Sequence, residues 1–138
     1  MSFVIDNSVA LAWCFEDEQS PAVMDLLDRV AEAGACAPAL WPIEALNGLL
    51  TAERRGRIAR EVRLALAGFL QALPIEIDEE MASRSWTATA VLAERHRLTA
   101  YDATYLELAM RRSLPLATRD APLIAAATAV GVTVLGAS

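Results

Sequence analysis

The sequence contains no lysine, so all 12 basic residues are arginines, and 18 acidic residues outnumber them. The formal net charge of −6 therefore lacks the simplest signature of a nucleic-acid-binding domain, a strong positive charge. Net charge argues only weakly here, because acids that gather to hold a cation count toward the total without describing the surface that a substrate meets. Capture of a phosphate-bearing substrate would have to rely on local clusters of arginine.

Other features are also scarce. No apolar run approaches the roughly 18 residues needed to cross a bilayer, and residues 1–6 do not resemble a signal peptide, so we expect a cytoplasmic protein without a membrane segment. Cys14 and Cys36 are too far apart for a local metal site and too few for a disulfide scaffold, which favours two reduced thiols. No glycine-rich phosphate loop occurs. The single histidine, His96, stands at a predicted helix end and is expected to be solvated rather than catalytic.

Apolar residues make up 55% of the 138 residues, which is enough to bury the core of one domain over residues 1–138. Short β-prone runs alternate with helical patterns and predict an α/β layered fold with a mainly parallel sheet. The predicted strands are 3–5, 35–37, 75–77, 115–118 and 132–135. The predicted helices are 8–15, 21–33, 42–55, 58–72, 78–96, with Asp78 as N-cap, 101–112 and 122–130.

The early helices are richer in alanine and leucine than one apolar face requires, which suggests a subunit contact or a groove for a partner peptide. In helix 42–55 the predicted core-facing positions are Ile43, Leu46, Leu49 and Leu50. The three tryptophans lie among apolar neighbours and are expected in the core or an interface rather than stacked on bases. They are Trp13, Trp41 and Trp86.

Four acidic residues occupy comparable places in this pattern. Asp6 and Asp120 directly follow predicted strands, Asp102 opens a helix after a turn, and Glu44 lies in the first turn of its helix. The carboxyl ends of parallel strands form one edge of a sheet, where ligands usually bind, so we expect these acids to converge. Each also has a structural alternative, since aspartate is a good helix N-cap and glutamate in a first turn interacts favourably with the helix dipole.

Four converging carboxylates repel one another, and a hard cation relieves that repulsion. Oxygen ligands without nearby histidine or cysteine suit Mg²⁺ or Mn²⁺ and argue against zinc. Hydrolysis of a phosphodiester fits such a site best, although a phosphatase remains open on these grounds.

Polar neighbours of the acids add support. Ser8 follows Asp6 by two residues, Thr118 precedes Asp120 by two, and Asn47 lies one helical turn after Glu44. All three can orient a ligand carboxylate, and each could equally serve only in local capping. The densest basic cluster is a candidate substrate-binding patch, with solvated helix ends as the alternative, and a second basic pair is Arg111 with Arg112. The cluster comprises Arg54, Arg55, Arg57 and Arg60.

Four segments resemble the signature segments of PIN-domain nucleases. They are Val4-Ile5-Asp6-Asn7-Ser8, Glu44-Ala45-Leu46-Asn47, Tyr101-Asp102-Ala103 and Thr118-Arg119-Asp120. Their order and spacing resemble the bacterial VapC-type toxins in particular, and the resemblance extends over essentially the entire chain. No single segment is specific, but four in order make a strong joint signal.

The resemblance implies a three-layer α/β/α fold and endonucleolytic cleavage of RNA with Mg²⁺ or Mn²⁺. Asp6 and Asp102 match the principal metal ligands of the family, Glu44 and Asp120 match the acids that complete the site, and Ser8 matches a hydroxyl residue that supports the first aspartate. It also implies a homodimer inhibited by a small antitoxin protein. Two alternatives remain: a PIN nuclease that processes RNA without toxicity, and a catalytically silent PIN-fold binding module.

Overall fold

The structure is a computed structural model that describes residues 2–137. Its centre is a five-stranded sheet in which every described pairing is parallel, in the order β3-β2-β1-β4-β5. The strands are β1 (Val4–Ile5), β2 (Ala35–Pro38), β3 (Ile75–Asp78), β4 (Leu116–Ala117) and β5 (Val134–Leu135). β1, β2 and β4 are buried along their whole length, as expected for parallel strands covered on both faces.

Helices connect successive strands. They are α1 (Asn7–Cys14), α2 (Pro21–Ala33), α3 (Trp41–Arg54), α4 (Arg60–Ala72), α5 (Met81–Arg84), α6 (Ala90–His96), α7 (Ala100–Arg112) and α8 (Ala121–Ala129). A 3₁₀ turn, Glu16–Glu18, follows α1, and a π-helical segment, Ser85–Thr89, joins α5 to α6. None of these helices is long and apolar enough to span a membrane, within the residues described.

The helices form a layer on each face of the sheet. Parallel strands are joined by right-handed connections, which puts α1–α4 on one face and α5–α8 on the other. The contacts agree, since α3 packs on α1 and α4, whereas α7 packs on α6, α8 and the three central strands. α7 is the most deeply buried helix, with every residue from Ala103 to Ala109 in the core. The predicted three-layer α/β/α class with a parallel sheet is confirmed.

The strand order reverses between β1 and β4. The chain moves from β1 outward to β2 and β3, then returns to the other side of β1 for β4 and β5. β1 and β4 are paired in register, with Ile5 opposite Ala117, so the residues that follow them emerge side by side. A reversal of this kind opens a crevice at the carboxyl ends of the two strands, and Asp6 and Thr118 stand at its floor.

The predicted helix over 78–96 is wrong at its start. Asp78 is the buried last residue of β3 rather than an N-cap, because its carboxylate is bound by Arg111 and Arg112 at the far end of α7. The helical stretch begins at Met81 and is interrupted by the π-helical segment. His96 does end α6, but it is half-buried rather than solvated.

The core-facing residues expected in helix 42–55 are partly wrong. α3 buries Leu49 but leaves Ile43 and Leu46 exposed by 66% and 40%, because the helix turns Trp41 and two alanines toward the core instead. The small alanines allow close approach and leave larger apolar side chains outside. Trp13 and Trp41 are buried as expected, whereas Trp86 in the π-helical segment is 89% exposed and does not pack in the core, so its place in an interface stays a prediction.

Candidate active site

Asp6 lies in the crevice because it directly follows β1. It caps α1, accepting a hydrogen bond at Oδ1 from the backbone N–H of Val9 (3.1 Å). The Ser8 hydroxyl donates to the same oxygen (2.6 Å), and the Thr118 hydroxyl donates to Oδ2 (2.5 Å). Burial raises the pKa of Asp6, the three hydrogen bonds oppose that effect, and the charge of Asp120 adds to it, so the net pKa is raised.

Ser8 and Thr118 link Asp6 to the loop after β4. The Ser8 hydroxyl accepts a hydrogen bond from the backbone N–H of Arg119 (3.0 Å), and the fully buried Thr118 hydroxyl accepts one from the backbone N–H of Asp120 (3.0 Å). Each hydroxyl therefore donates to Asp6 and accepts from the segment that carries Asp120. The two hydroxyls fix the Asp6 carboxylate and the Asp120 backbone relative to each other.

Asp120 and Asp102 lie close enough together at the mouth of the crevice for their charges to interact. Asp120 caps α8, accepting from the backbone N–H of Leu123 at Oδ2 (3.1 Å), whereas α7 is capped by Thr99 and holds Asp102 in its first turn. The pKa of Asp102 is raised from 3.8 to about 6. Burial is the largest cause, followed by the charges of Asp120 and Asp6, a hydrogen bond with Asp120, and the charge of Glu44. The four predicted acids thus interact at one edge of the sheet.

Glu44 is held at two points by residues that the sequence analysis did not single out. The amide of Asn7 donates to the Glu44 backbone carbonyl (3.3 Å), and the phenol of Tyr105 donates to Glu44 Oε1 (2.5 Å). Tyr105 is buried, and burial together with the bound carboxylate raises its pKa. The sequence does indicate that Tyr105 faces the site, because Tyr105 follows Asp102 by three residues and so lies on the same helix face as Asp102.

The donor set fits a hard divalent cation in its chemistry. All four acids offer oxygen, and burial followed by repulsion from the other acids raises the pKa of Asp102, a cost that a bound cation would relieve. Asp6 already uses two acceptor positions on Oδ1 but only one on Oδ2, which leaves one lone pair of Oδ2 for a metal. Over residues 2–137, however, no three acidic, histidine or cysteine side chains stand grouped as a complete metal site. The role of these acids as metal ligands stays a prediction.

The predicted polar neighbours differ in their placement. Ser8 and Thr118 contact Asp6, as described above. Asn47 is exposed, and its side chain takes part in none of the described hydrogen bonds. No described contact therefore supports the prediction that Asn47 orients Glu44. Asn7 contacts the Glu44 backbone instead.

The predicted arginine patch is only partly available to a substrate. Arg57 pairs with Asp17 (2.6 Å) and Glu18 (3.0 Å) and stacks over the ring of Phe15. The other three members of the patch are exposed and form no ion pair among the described contacts: Arg54, Arg55 and Arg60. The roles of all four in substrate binding stay predictions.

Arg119 is a cation that the sequence analysis passed over, although it lies inside one of the four acidic segments. It is exposed, and its guanidinium donates one hydrogen bond to the backbone carbonyl of Glu18 (2.8 Å). In the sequence it lies between Thr118 and Asp120. Arg111 and Arg112, in contrast, form ion pairs that connect α7 to β3 and the turn after it.

The carboxylates stand at the topological switch point of a parallel sheet, which is where ligands bind in open α/β folds. The PIN domain family profile matches residues 3–128 of this chain. The chain therefore belongs to the PIN domain family, which is a family of nucleases, and the resemblance drawn from the four acidic segments is confirmed. No curated protein matches the sequence.

Solved structures with the same fold include a toxin and a toxin–antitoxin complex. FitAcB from Neisseria gonorrhoeae has 20% sequence identity and a TM-score of 0.68, over 99% of this chain and 98% of that one. VapBC2 from Rickettsia felis, bound to a DNA fragment from their promoter, has 11% identity and a TM-score of 0.68, over 97% of both chains. VapC20 from Mycobacterium tuberculosis, described as a sarcin-ricin loop cleaving toxin, has 13% identity and a TM-score of 0.60, over 90% and 94%.

Proposed function

We propose that this protein is a divalent-metal-dependent endoribonuclease that hydrolyses RNA phosphodiesters with Mg²⁺ or Mn²⁺. The observation that carries the proposal is the convergence of Asp102 with three other carboxyl groups, those of Asp6, Glu44 and Asp120, from distant chain segments at one crevice. Such repulsion is costly unless a cation shares the site. Nuclease activity is the property of the family, and the choice of RNA as substrate belongs to the proposal.

In this proposal Asp6, through Oδ2, Asp102 and Asp120 hold the cation, and Glu44 completes the set. When bound, a divalent cation stabilises negative charge on a phosphoryl oxygen and makes water a stronger acid. The hydroxyls of Ser8 and Thr118 keep Asp6 in one orientation through hydrogen bonds to both of its oxygens. Arg119, with donors left free beyond its single bond to Glu18, would bind a phosphate of the RNA backbone.

We further propose that the enzyme is the toxin of a toxin–antitoxin pair, with a small antitoxin as partner and a homodimer as its own assembly. Proteins of such systems share the fold, and one of them is described as cleaving the sarcin-ricin loop.

An apolar cavity of about 340 Å³ between α3, α4 and β3 supports a protein partner; it is lined by residues including Trp41, Leu46, Leu70 and Ile77. Light scattering tests the assembly, since a monomer at all concentrations would contradict the homodimer.

The proposal is tested by incubating purified protein and a folded RNA with Mg²⁺, Mn²⁺ or a chelator. We expect internal cleavage that requires the metal and falls at least about 100-fold in Asp102→Asn, because a neutral amide no longer balances a cation. The matched control is Asp28→Asn on the exposed face of α2, which should cleave like the unchanged chain. Cleavage that persists in chelator, or at full rate in Asp102→Asn, would contradict the mechanism.

Expression in a bacterial host separates a toxin from a nuclease that processes RNA harmlessly. We expect growth arrest on induction of the unchanged chain and normal growth with Asp102→Asn produced at the same level. Normal growth with both proteins, together with intact cleavage in vitro, would keep the nuclease and remove the toxin.

A further inference from the structure

Tyr105 makes a contact that the proposed chemistry does not yet use. Its phenol donates a hydrogen bond of 2.5 Å to Oε1 of Glu44, across 61 residues of sequence and from the opposite layer of the fold. The ring is only 2% exposed. Hydrogen bonds to an ionised acceptor are about twice as strong as those between neutral groups, so the contact restrains both partners.

The phenol is the rigid partner of this pair. α7 is buried from Ala103 to Ala109 and packs on three strands, so the Tyr105 ring has no room to leave its position. Asp102 lies one turn earlier on the same helix face. The position of the Tyr105 oxygen relative to Asp102 is therefore set by the helix itself.

Glu44 is the less tightly packed partner. Its side chain is half-buried and has three rotatable bonds, and like Asp102 it lies in the first turn of a helix at this edge of the sheet. Repulsion and side-chain entropy both favour a Glu44 turned away toward water. The hydrogen bond from Asn7 restrains only the Glu44 backbone, so the phenol is the described contact that holds the carboxylate in the crevice.

We propose that Tyr105 is a positioning residue that holds the Glu44 carboxylate in the acidic crevice and thereby raises the affinity of the site for a divalent cation. The inference rests on the proposed function insofar as the crevice binds a cation. It goes beyond the acids themselves, because it assigns cation affinity to a neutral side chain that touches no cation. Outer partners of this kind commonly contribute about 10- to 100-fold to metal affinity.

The test compares Tyr105→Phe with the unchanged chain. Mn²⁺ is titrated into each metal-free protein, and calorimetry measures its affinity. The substitution removes one oxygen and keeps the ring that fills the core. We expect Mn²⁺ affinity to fall about 10-fold, and RNA cleavage to recover when Mn²⁺ is raised by the same factor. The matched control is Tyr101→Phe on the same helix, whose ring is 60% exposed and whose hydroxyl has no described contact with Glu44; its affinity should not change.

A second pair of variants guards against a merely structural role. In a Glu44→Gln background, Tyr105→Phe should cause little further loss of affinity, because the two residues act through one contact. Glu44→Asp, whose shorter side chain draws away from the phenol, should weaken Mn²⁺ binding by a similar factor even if Tyr105→Phe folds poorly.

Unchanged Mn²⁺ affinity in Tyr105→Phe, or an equal loss in the Glu44→Gln background, would overturn the inference. So would a lack of Mn²⁺ binding by the unchanged chain. Mn²⁺ binding with the expected variant pattern, but without RNA cleavage, would instead overturn only the proposed function.

Discussion

Asp6 and Asp120 each perform a structural task and stand in the crevice at the same time. Both cap a helix through a backbone N–H, so the structural alternative considered for each from the sequence is confirmed. Asp102 differs, because Thr99 caps its helix and leaves the Asp102 carboxyl free to face Asp120. Capping thus does not compete with a role in the site, since a cap uses one lone pair of a carboxylate and leaves others available.

Replacing Asp102 by asparagine should stabilise the metal-free protein at neutral pH. Its pKa is about 6 in the folded chain against an ordinary value of 3.8. Between these two pH values the folded state therefore binds more protons than the unfolded state, and the free energy of unfolding falls as the pH rises. Asparagine carries no charge at any pH. We expect the thermal midpoint of Asp102→Asn in chelator to exceed that of the unchanged chain by a few degrees at pH 7.

The same measurement at pH 4 should find nearly equal midpoints, because Asp102 is then protonated in the folded chain. Asp28→Asn is again the control and should behave like the unchanged chain at both values. An Asp102→Asn variant that is less stable at pH 7 would contradict the claim that burial and neighbouring like charges destabilise the ionised Asp102 carboxylate.

At the scale of the elements, helices with local signals were predictable. α2 is predicted over 21–33 and is found as Pro21–Ala33, because Ser20 caps it, Pro21 begins it and Gly34 ends it. The start of the stretch after β3 was not predictable in the same way. Asp78 has the chemistry of a cap, but its partners Arg111 and Arg112 lie more than thirty residues away. The π-helical segment likewise carries no local signal in Ser85–Thr89.

The ion pairs of Asp78 predict a measurable contribution to stability. Arg111, whose guanidinium donates to both Asp78 oxygens, and then Arg112 hold the pKa of Asp78 below its ordinary value. The stabilisation is therefore complete above pH 4 and is lost as pH falls below the ordinary value of 3.8. Asp78→Asn should lower the free energy of unfolding by about 3 kcal/mol at pH 7, measured by urea titration.

Glu80→Gln is the control for this change. Glu80 pairs with the same Arg111, but its side chain is 56% exposed, so its loss should cost less than about 1 kcal/mol. Equal losses in the two variants would contradict the claim that burial of Asp78 makes the pair important for joining α7 to β3.

At the scale of the whole molecule, the strand order is what assembles the crevice. Asp6, Glu44, Asp102 and Asp120 span most of the chain, yet the sheet reverses its order between β1 and β4 and so brings their segments to one edge. That convergence could be inferred from the sequence, because each acid follows a strand or opens a helix. The contacts of Tyr105 and Asn7 with Glu44 could not be inferred. Spacing places Tyr105 on the helix face of Asp102, but a hydrogen bond between two helices depends on packing that no local pattern encodes.

The central claim is that carboxylates from distant segments share one divalent cation, and anomalous scattering from crystals grown with Mn²⁺ tests it most directly. The account predicts one or two Mn²⁺ peaks in the crevice, in contact with Asp102, Asp120 and Oδ2 of Asp6, and no such peak in Asp102→Asn. Mn²⁺ bound elsewhere on the molecule, or a crevice without Mn²⁺ at saturating concentration, would contradict it.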